Sequence, residues 1–304
     1  KLTEVLRKDS GGDDQRVVAT YYTLARDLKQ QLDLTKDPKL KANLAGAAET
    51  FLQGVQSNTK DPTLLRWVAE TLYGFGESFD GPGSTADAKR FYTSAEKALA
   101  NLLKLDKEQT ISLEPEVRVQ IRVKLAAAQR ELGKYKEALD VLVEILSDPA
   151  RRNTATFQLE AAQVLAAWGQ DPKGKEQYLD QALQGGFPDP QKKTENIVWG
   201  LAKLSRLTRQ DPRYAQIFFA SRYTIAECYY GKAKKGKPDQ LKTRMALVKR
   251  DLATVYQLYP EMGGPEWYAK FDALLRRAQR EMGEAETGLA GLKQTPSAAP
   301  KTGS

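Results

Sequence analysis

Histidine is absent from all 304 residues, and cysteine occurs once. Without imidazole the chain cannot build a Ser-His-Asp or Cys-His nucleophile, a His-ligated zinc site or the usual general base near neutral pH. Cys228 alone can form neither an internal disulfide nor a thiolate metal site, and its place in TIAECYYG, inside a helical pattern, reads as a small buried hydrophobe. No apolar run is long enough to span a bilayer. A phosphate-binding loop is also missing: GFGESFDGPGS lacks the Lys-Ser/Thr ending and a preceding strand. Carboxylates such as Glu114 and Glu116, or Asp13 and Asp14, remain as acid–base candidates, but acids at helix starts are explained by the helix dipole. Catalysis, a cofactor and a bound metal are therefore not expected. The first residues, KLTEVLRK, contain neither Met nor the apolar stretch of a signal peptide, which suits a processed or excised piece and leaves the compartment open.

What is there reads as globular: 41% hydrophobic and 28% charged residues, enough chain for a large core. The net charge of +8 is unevenly placed. Residues 191–283 hold 19 Lys and Arg against 9 Asp and Glu, whereas residues 1–190 hold 26 against 28. GKAKKGKPDQLKTR, residues 231–244, puts six cations in fourteen residues.

Few segments alternate with period two. Apolar residues instead recur at three and four, as in Val117, Ile121, Leu125, Ala128 and Leu132, or Leu64, Trp67, Val68, Leu72, Phe75 and Phe79. Helix starts are marked by Asp-Pro at 37–38, 61–62, 148–149, 171–172, 189–190 and 211–212. Asp accepts hydrogen bonds from the free N–H groups of a first turn, and Pro suits the position whose N–H would have no partner. The pattern predicts helices near 16–21 (extending toward 34), 37–57, 62–79, 84–105, 115–132, 135–147, 153–168, 172–184, 193–208, 212–233, 239–259 and 265–283. DSGGDD at 9–14 and FDGPGST at 79–85 read as breaks. Residues 285–304 are small and poor in large apolar groups, and predict a flexible tail. The expected organisation is a helix end and loop over 1–14, a helical array over 15–284 and that tail.

GKYKEALDVLVEILSDP, residues 133–149, reads as the second half of a helix hairpin. Gly133 ends one helix, Tyr135 packs across the turn, and Ala138, Leu142 and Ile145 share one face. The same 0, +4, +7 spacing recurs at Ala48-Leu52-Val55, Ala88-Tyr92-Ala95 and Val248-Leu252-Val255, and more weakly at Gly174-Tyr178-Gln181. With Pro149 and Pro260 beyond two of these triplets, Trp67 in a first helix and Ala126, Ala162 and Ala226 at small packing positions, the chain resembles the tetratricopeptide repeat, a helix–turn–helix unit of about 34 residues. The repeats are degenerate: successive anchors lie 40, 50 and 36 residues apart, and 185–211 fits no repeat.

The resemblance implies an all-α fold, an α-solenoid of antiparallel hairpins wound as a right-handed superhelix, whose concave face holds a protein or peptide. Groove positions would be Gln120, Val123 and Arg130, then Leu159 and Gln163, and Tyr223, Glu227 and Tyr230 toward the C-terminus. The family's clamp for terminal carboxylates needs Lys and Asn where this chain has Val123, Ala127, Leu159 and Gln163, so that mode is not expected. The expected function is a non-catalytic scaffold or adaptor within a larger assembly. The alternative rests on the basic third, where Lys232, Lys234, Lys235, Lys237, Lys242, Arg244, Lys249 and Arg250 could attract an acidic protein, an anionic surface or nucleic acid. Tyr223, Tyr229, Tyr230, Tyr256, Tyr259, Trp267, Tyr268 and Phe271 lie nearby for stacking on bases, although their four-residue spacings also suit a core.

Overall fold

The computed structural model describes residues 20–292, apart from 21, 22, 25, 29, 33, 36, 58, 80–85, 191 and 193. The expected loop at 9–14, the far tail and nearly all of the 79–85 break lie outside the described residues. The chain is all-α, with neighbouring helices packed consecutively and, among the described residues, one two-stranded sheet. Described residues between 20 and 34 are helical. Then come α1 (Pro38–Ser57), α2 (Pro62–Phe79), α3 (Ala86–Lys107), α4 (Pro115–Glu131) and α5 (Tyr135–Ser147). They are followed by α6 (Ala155–Gln170), α7 (Gln177–Gln184), α8 (Leu201–Thr208), α9 (Ala215–Lys235), α10 (Leu241–Leu258) and α11 (Pro265–Met282). Strands β1 (Gly185–Pro188) and β2 (Asn196–Trp199) lie between α7 and α8. Two compact units divide within α5, at Val141 and Leu142.

Asp-Pro acts locally. Asp37 Oδ1 accepts from the backbone N–H of Lys39 (2.8 Å) and Leu40 (3.1 Å), and Asp61 Oδ1 from that of Leu64 (2.8 Å), closing the first turns of α1 and α2. Asp148, Asp171 and Asp211 accept from the N–H two residues on, but there they hold tight turns before the next helix. Helix α7 accordingly starts at Gln177 rather than near 172. Asp189 does something else, described below.

Around α4 and α5 the helix ends and the core follow the predicted hairpin. Helix α4 stops at Gly133, whose φ of 76° a side chain would resist. Lys134 N–H then reaches back to Gln129 O (2.8 Å) and Gly133 N–H to Arg130 O (3.0 Å), satisfying two orphan carbonyls. Ala138, Leu142 and Ile145 are buried, as are the triplets at 48, 88 and 248. Each fully buried Leu or aromatic side chain contributes about 1.5–3 kcal/mol. The weak triplet at 174 does not form a core face: α7 turns Leu179, Ala182 and Leu183 inward, while Tyr178 stacks on Trp168 at 4.0 Å between ring centroids. Between α2 and α3, the buried Tyr92 ring fills the space above Gly76, where a Cβ would sit 2.6 Å from it.

The second unit departs from the sequence reading between 185 and 200. A helix over 193–208 was expected; β1 and β2 pair antiparallel instead, Gly186 opposite Val198, and α8 begins only at Leu201. Gln158 of α6 decides this. Its buried side chain donates to Ile197 O (2.9 Å) and Arg152 O (2.7 Å) and accepts from Trp199 N–H (2.6 Å), so the backbone of β2 is bonded to a side chain as a strand. Gly200 permits the return: a Cβ there would lie 2.3 Å from Leu183 O. Asp189, 1% exposed, pairs with Arg152, whose Nε also donates to Leu146 O at 3.2 Å. The Asp-Pro at 189–190 thus anchors the hairpin loop and starts no helix.

Of the expected tail over 285–304, residues 285–292 are described, and they pack onto α11. Leu289 is buried, its N–H donates to Asp272 Oδ1 (2.7 Å), and Gly288 N–H donates to Gln279 Oε1 (2.9 Å). Leu292 packs against the same core, and Arg276, Gln279 and Arg280 of α11 bond to Glu286 and Thr287 just before it. No helix among the described residues is long and apolar enough to cross a membrane.

Candidate interaction surfaces

Alternate helices of the first unit are joined by side chains. Glu49 of α1 takes Arg90 (3.0 Å) and Ser94 (2.6 Å) of α3. On α2, Arg66 Nη2 donates to Gln120 Oε1 of α4 (3.0 Å), and Lys124 of α4 sits 3.7 Å above the Tyr73 ring of α2. Helices α2 and α4 therefore present their outer sides together. That face carries Gln120, exposed, and Val123 and Arg130, both half-buried, with Arg130 ion-paired to Glu131 at 2.5 Å. Arg66 and Lys124 belong to it as well, although the repeat spacing did not single them out.

The other groove positions fall in the second unit. Leu159 and Gln163 are half-buried on α6. Tyr223, Glu227 and Tyr230 lie along α9 against α11: the Tyr223 ring meets Phe271 edge-on at 5.5 Å, and Arg277 lies 3.8 Å from Glu227 and 5.3 Å from the Tyr230 ring centroid. Tyr230 Oη also contacts Glu281 Oε1 at 3.2 Å, which Lys234 holds at 2.9 Å. Burial pushes the Tyr223 phenol up, with the Glu227 carboxylate adding to the rise. The hydrogen bond from Lys234 holds the Glu281 carboxyl below its ordinary value. Cys228 is buried, and that burial raises its thiol far from thiolate range.

The basic stretch is largely occupied from within. Lys232 pairs with Asp180, Lys234 with Glu281 and Lys249 with Glu284 (2.6 Å). Lys235 donates to the carbonyls of Asp171 and Gly174, both at 2.8 Å, and Arg244 to Lys232 O at 3.0 Å with Glu176 3.9 Å away. Lys237, Lys242 and Arg250 are exposed and have no ion pair or side-chain hydrogen bond among the described residues. Of the nearby aromatics, Tyr229 is 38% exposed, while Tyr223, Tyr230, Tyr256, Tyr259, Trp267, Tyr268 and Phe271 are half-buried or buried. A charge count along the sequence cannot show this pairing, because the acids that answer these cations come from α7, α11 and the segment beyond it.

Comparison with protein-family models, with curated proteins and with solved structures gave no match.

Proposed function

We propose that this chain is a non-catalytic scaffold of degenerate tetratricopeptide-like hairpins that holds a protein or peptide segment on the exposed faces of its first helices. The observation that carries the reading is the Arg66–Gln120 bond together with Lys124 over Tyr73, which sets the outer sides of α2 and α4 side by side as one surface. Such a surface sets the exposed Gln120 amide and the half-buried Val123 and Lys124 side chains on a rigid helical support, beside an Arg66 guanidinium that Glu70 holds at 2.7 Å.

The test is affinity capture of partners from source lysate by wild type and by Val123→Arg, at low and high salt, with and without nuclease. The reading expects protein partners that survive nuclease and high salt and are lost with Val123→Arg, while the thermal melt is unchanged. Partners that vanish with nuclease, or that bind the variant equally, overturn it.

A further inference from the structure

Helix α10 has two unlike sides. Met245, Val248, Leu252 and Val255 enter the core that it shares with α9 and α11. At ~100° per residue the opposite side carries Thr243, Ala246, Leu247, Arg250, Thr254 and Gln257, with Lys242 and Leu258 along its two edges, all of them exposed. Leu247 is 45% and Leu258 56% exposed. Asp251 is the one acid in the helix, and Arg222 of α9 holds it at 2.5 Å on the inward side. Among the described residues Lys242, Arg250 and Lys237, which precedes the helix, form no ion pair, and Arg250 acts on the neighbouring Asp251 only through its field.

We propose that this strip docks an acidic amphipathic helix of a partner protein. Lys242 and Arg250 stand ~12 Å apart along the axis, so carboxylates two turns apart on one face of a partner helix meet both. An apolar residue between those carboxylates covers Ala246 and Leu247, and one about two turns beyond the second carboxylate covers Leu258. Charge sets the choice of partner and the leucines set its register. Nucleic acid fits less well, because the strip has no aromatic for a base to stack on and its leucines give phosphates nothing. An anionic bilayer also fits less well: two leucines eleven residues apart form no continuous apolar face to insert. The strip lies on the side of α10 away from its shared core, and it shares no residue with the faces proposed above.

The test uses the full chain and a fluorescent, stapled helical peptide bearing glutamates two turns apart with leucines between them, read by anisotropy. Controls are a scrambled peptide of the same composition, phosphatidylserine vesicles and a single-stranded oligonucleotide. The designed peptide should bind, and the double variant Lys242→Glu with Arg250→Glu should weaken it at least about ten-fold. Leu247→Glu should weaken it as well, and Arg206→Glu, on α8, should leave it within about two-fold. A peptide carrying lysines for glutamates should prefer the double variant over wild type. Equal binding of the scrambled peptide overturns the proposal, as does a double variant that binds like wild type. Capture of vesicles or oligonucleotide through these residues while the peptide fails also overturns it. Should the charge reversals change the melting profile, Lys242→Met with Arg250→Met repeats the comparison without repulsion.

Discussion

Replacing Gln158 with Leu keeps the volume of a side chain that is buried in the second unit but removes its three bonds to backbone groups. Ile197 O, Arg152 O and Trp199 N–H would then be left without that partner. Each buried polar group orphaned in this way costs about 1–3 kcal/mol. Leu returns part of this through its own burial, and residues near Arg152 can relax toward water. The expected net loss is about 3–5 kcal/mol, a large share of the ~5–15 kcal/mol that holds a domain folded. Because the chain has two compact units, a single global unfolding energy is ambiguous, and the decisive readout is local. Hydrogen exchange at the Trp199 amide should accelerate by two or more orders of magnitude, alongside a lower urea midpoint for the second unit, at about 1.4 kcal/mol per factor of ten. If the Trp199 amide stays protected and stability stays within about 1 kcal/mol of wild type, Gln158 does not hold the hairpin and the argument fails.

Gly76→Ala should destabilise the first unit by about 1–2 kcal/mol in thermal melts, because the gain in helix propensity is outweighed by the clash with the buried Tyr92 ring. Asp189→Ala should cost about 3–5 kcal/mol by leaving Arg152, whose side chain is 15% exposed, without its carboxylate. The double change Arg152→Met with Asp189→Leu should recover most of that loss, measured by urea unfolding, and failure to recover would count against a paired-charge account. The Arg118 guanidinium holds the Asp106 carboxyl below its ordinary value. A depressed carboxyl stabilises the fold above its unfolded pKa of about 3.9 and loses that contribution as pH falls through the folded value. Arg118→Met should therefore flatten the acid limb of the first unit's stability-against-pH curve below about pH 4, with little change in its shape from pH 6 to 8.

Much of the fold was legible in the residues, and the reason can be seen element by element. Helix α2 runs from Pro62 to Phe79, as Asp61-Pro62 and the apolar stripe predicted, and α5 from Tyr135 to Ser147, as the Gly133–Ala138 pattern predicted. The hairpin at 185–199 was not legible. Asn196-Ile197-Val198-Trp199 is too short to show alternation and runs straight into the apolar spacing of α8, so it reads as one helix. The clustered glycines at 185–186 and Pro188 were its only local sign. Among candidate site residues, Gln120 was found from repeat spacing, but its neighbour Arg66, from another helix 54 residues away, was not.

Outside residues 171–200, the sequence by itself determined, to within two or three residues, where helices begin and end and which side of each faces inward. Those choices are made by hydrogen bonds that close within four residues and by periodic burial along one helix. Only the tertiary structure decided which charges remain free. Lys235 is used by carbonyls 61 and 64 residues away, and Gln158 turns Ile197 and Trp199 into a strand from 39 and 41 residues away. A local pattern counts the cations of the basic third, but packing brings acids and carbonyls to five of the eight named here and leaves Lys237, Lys242 and Arg250 facing water.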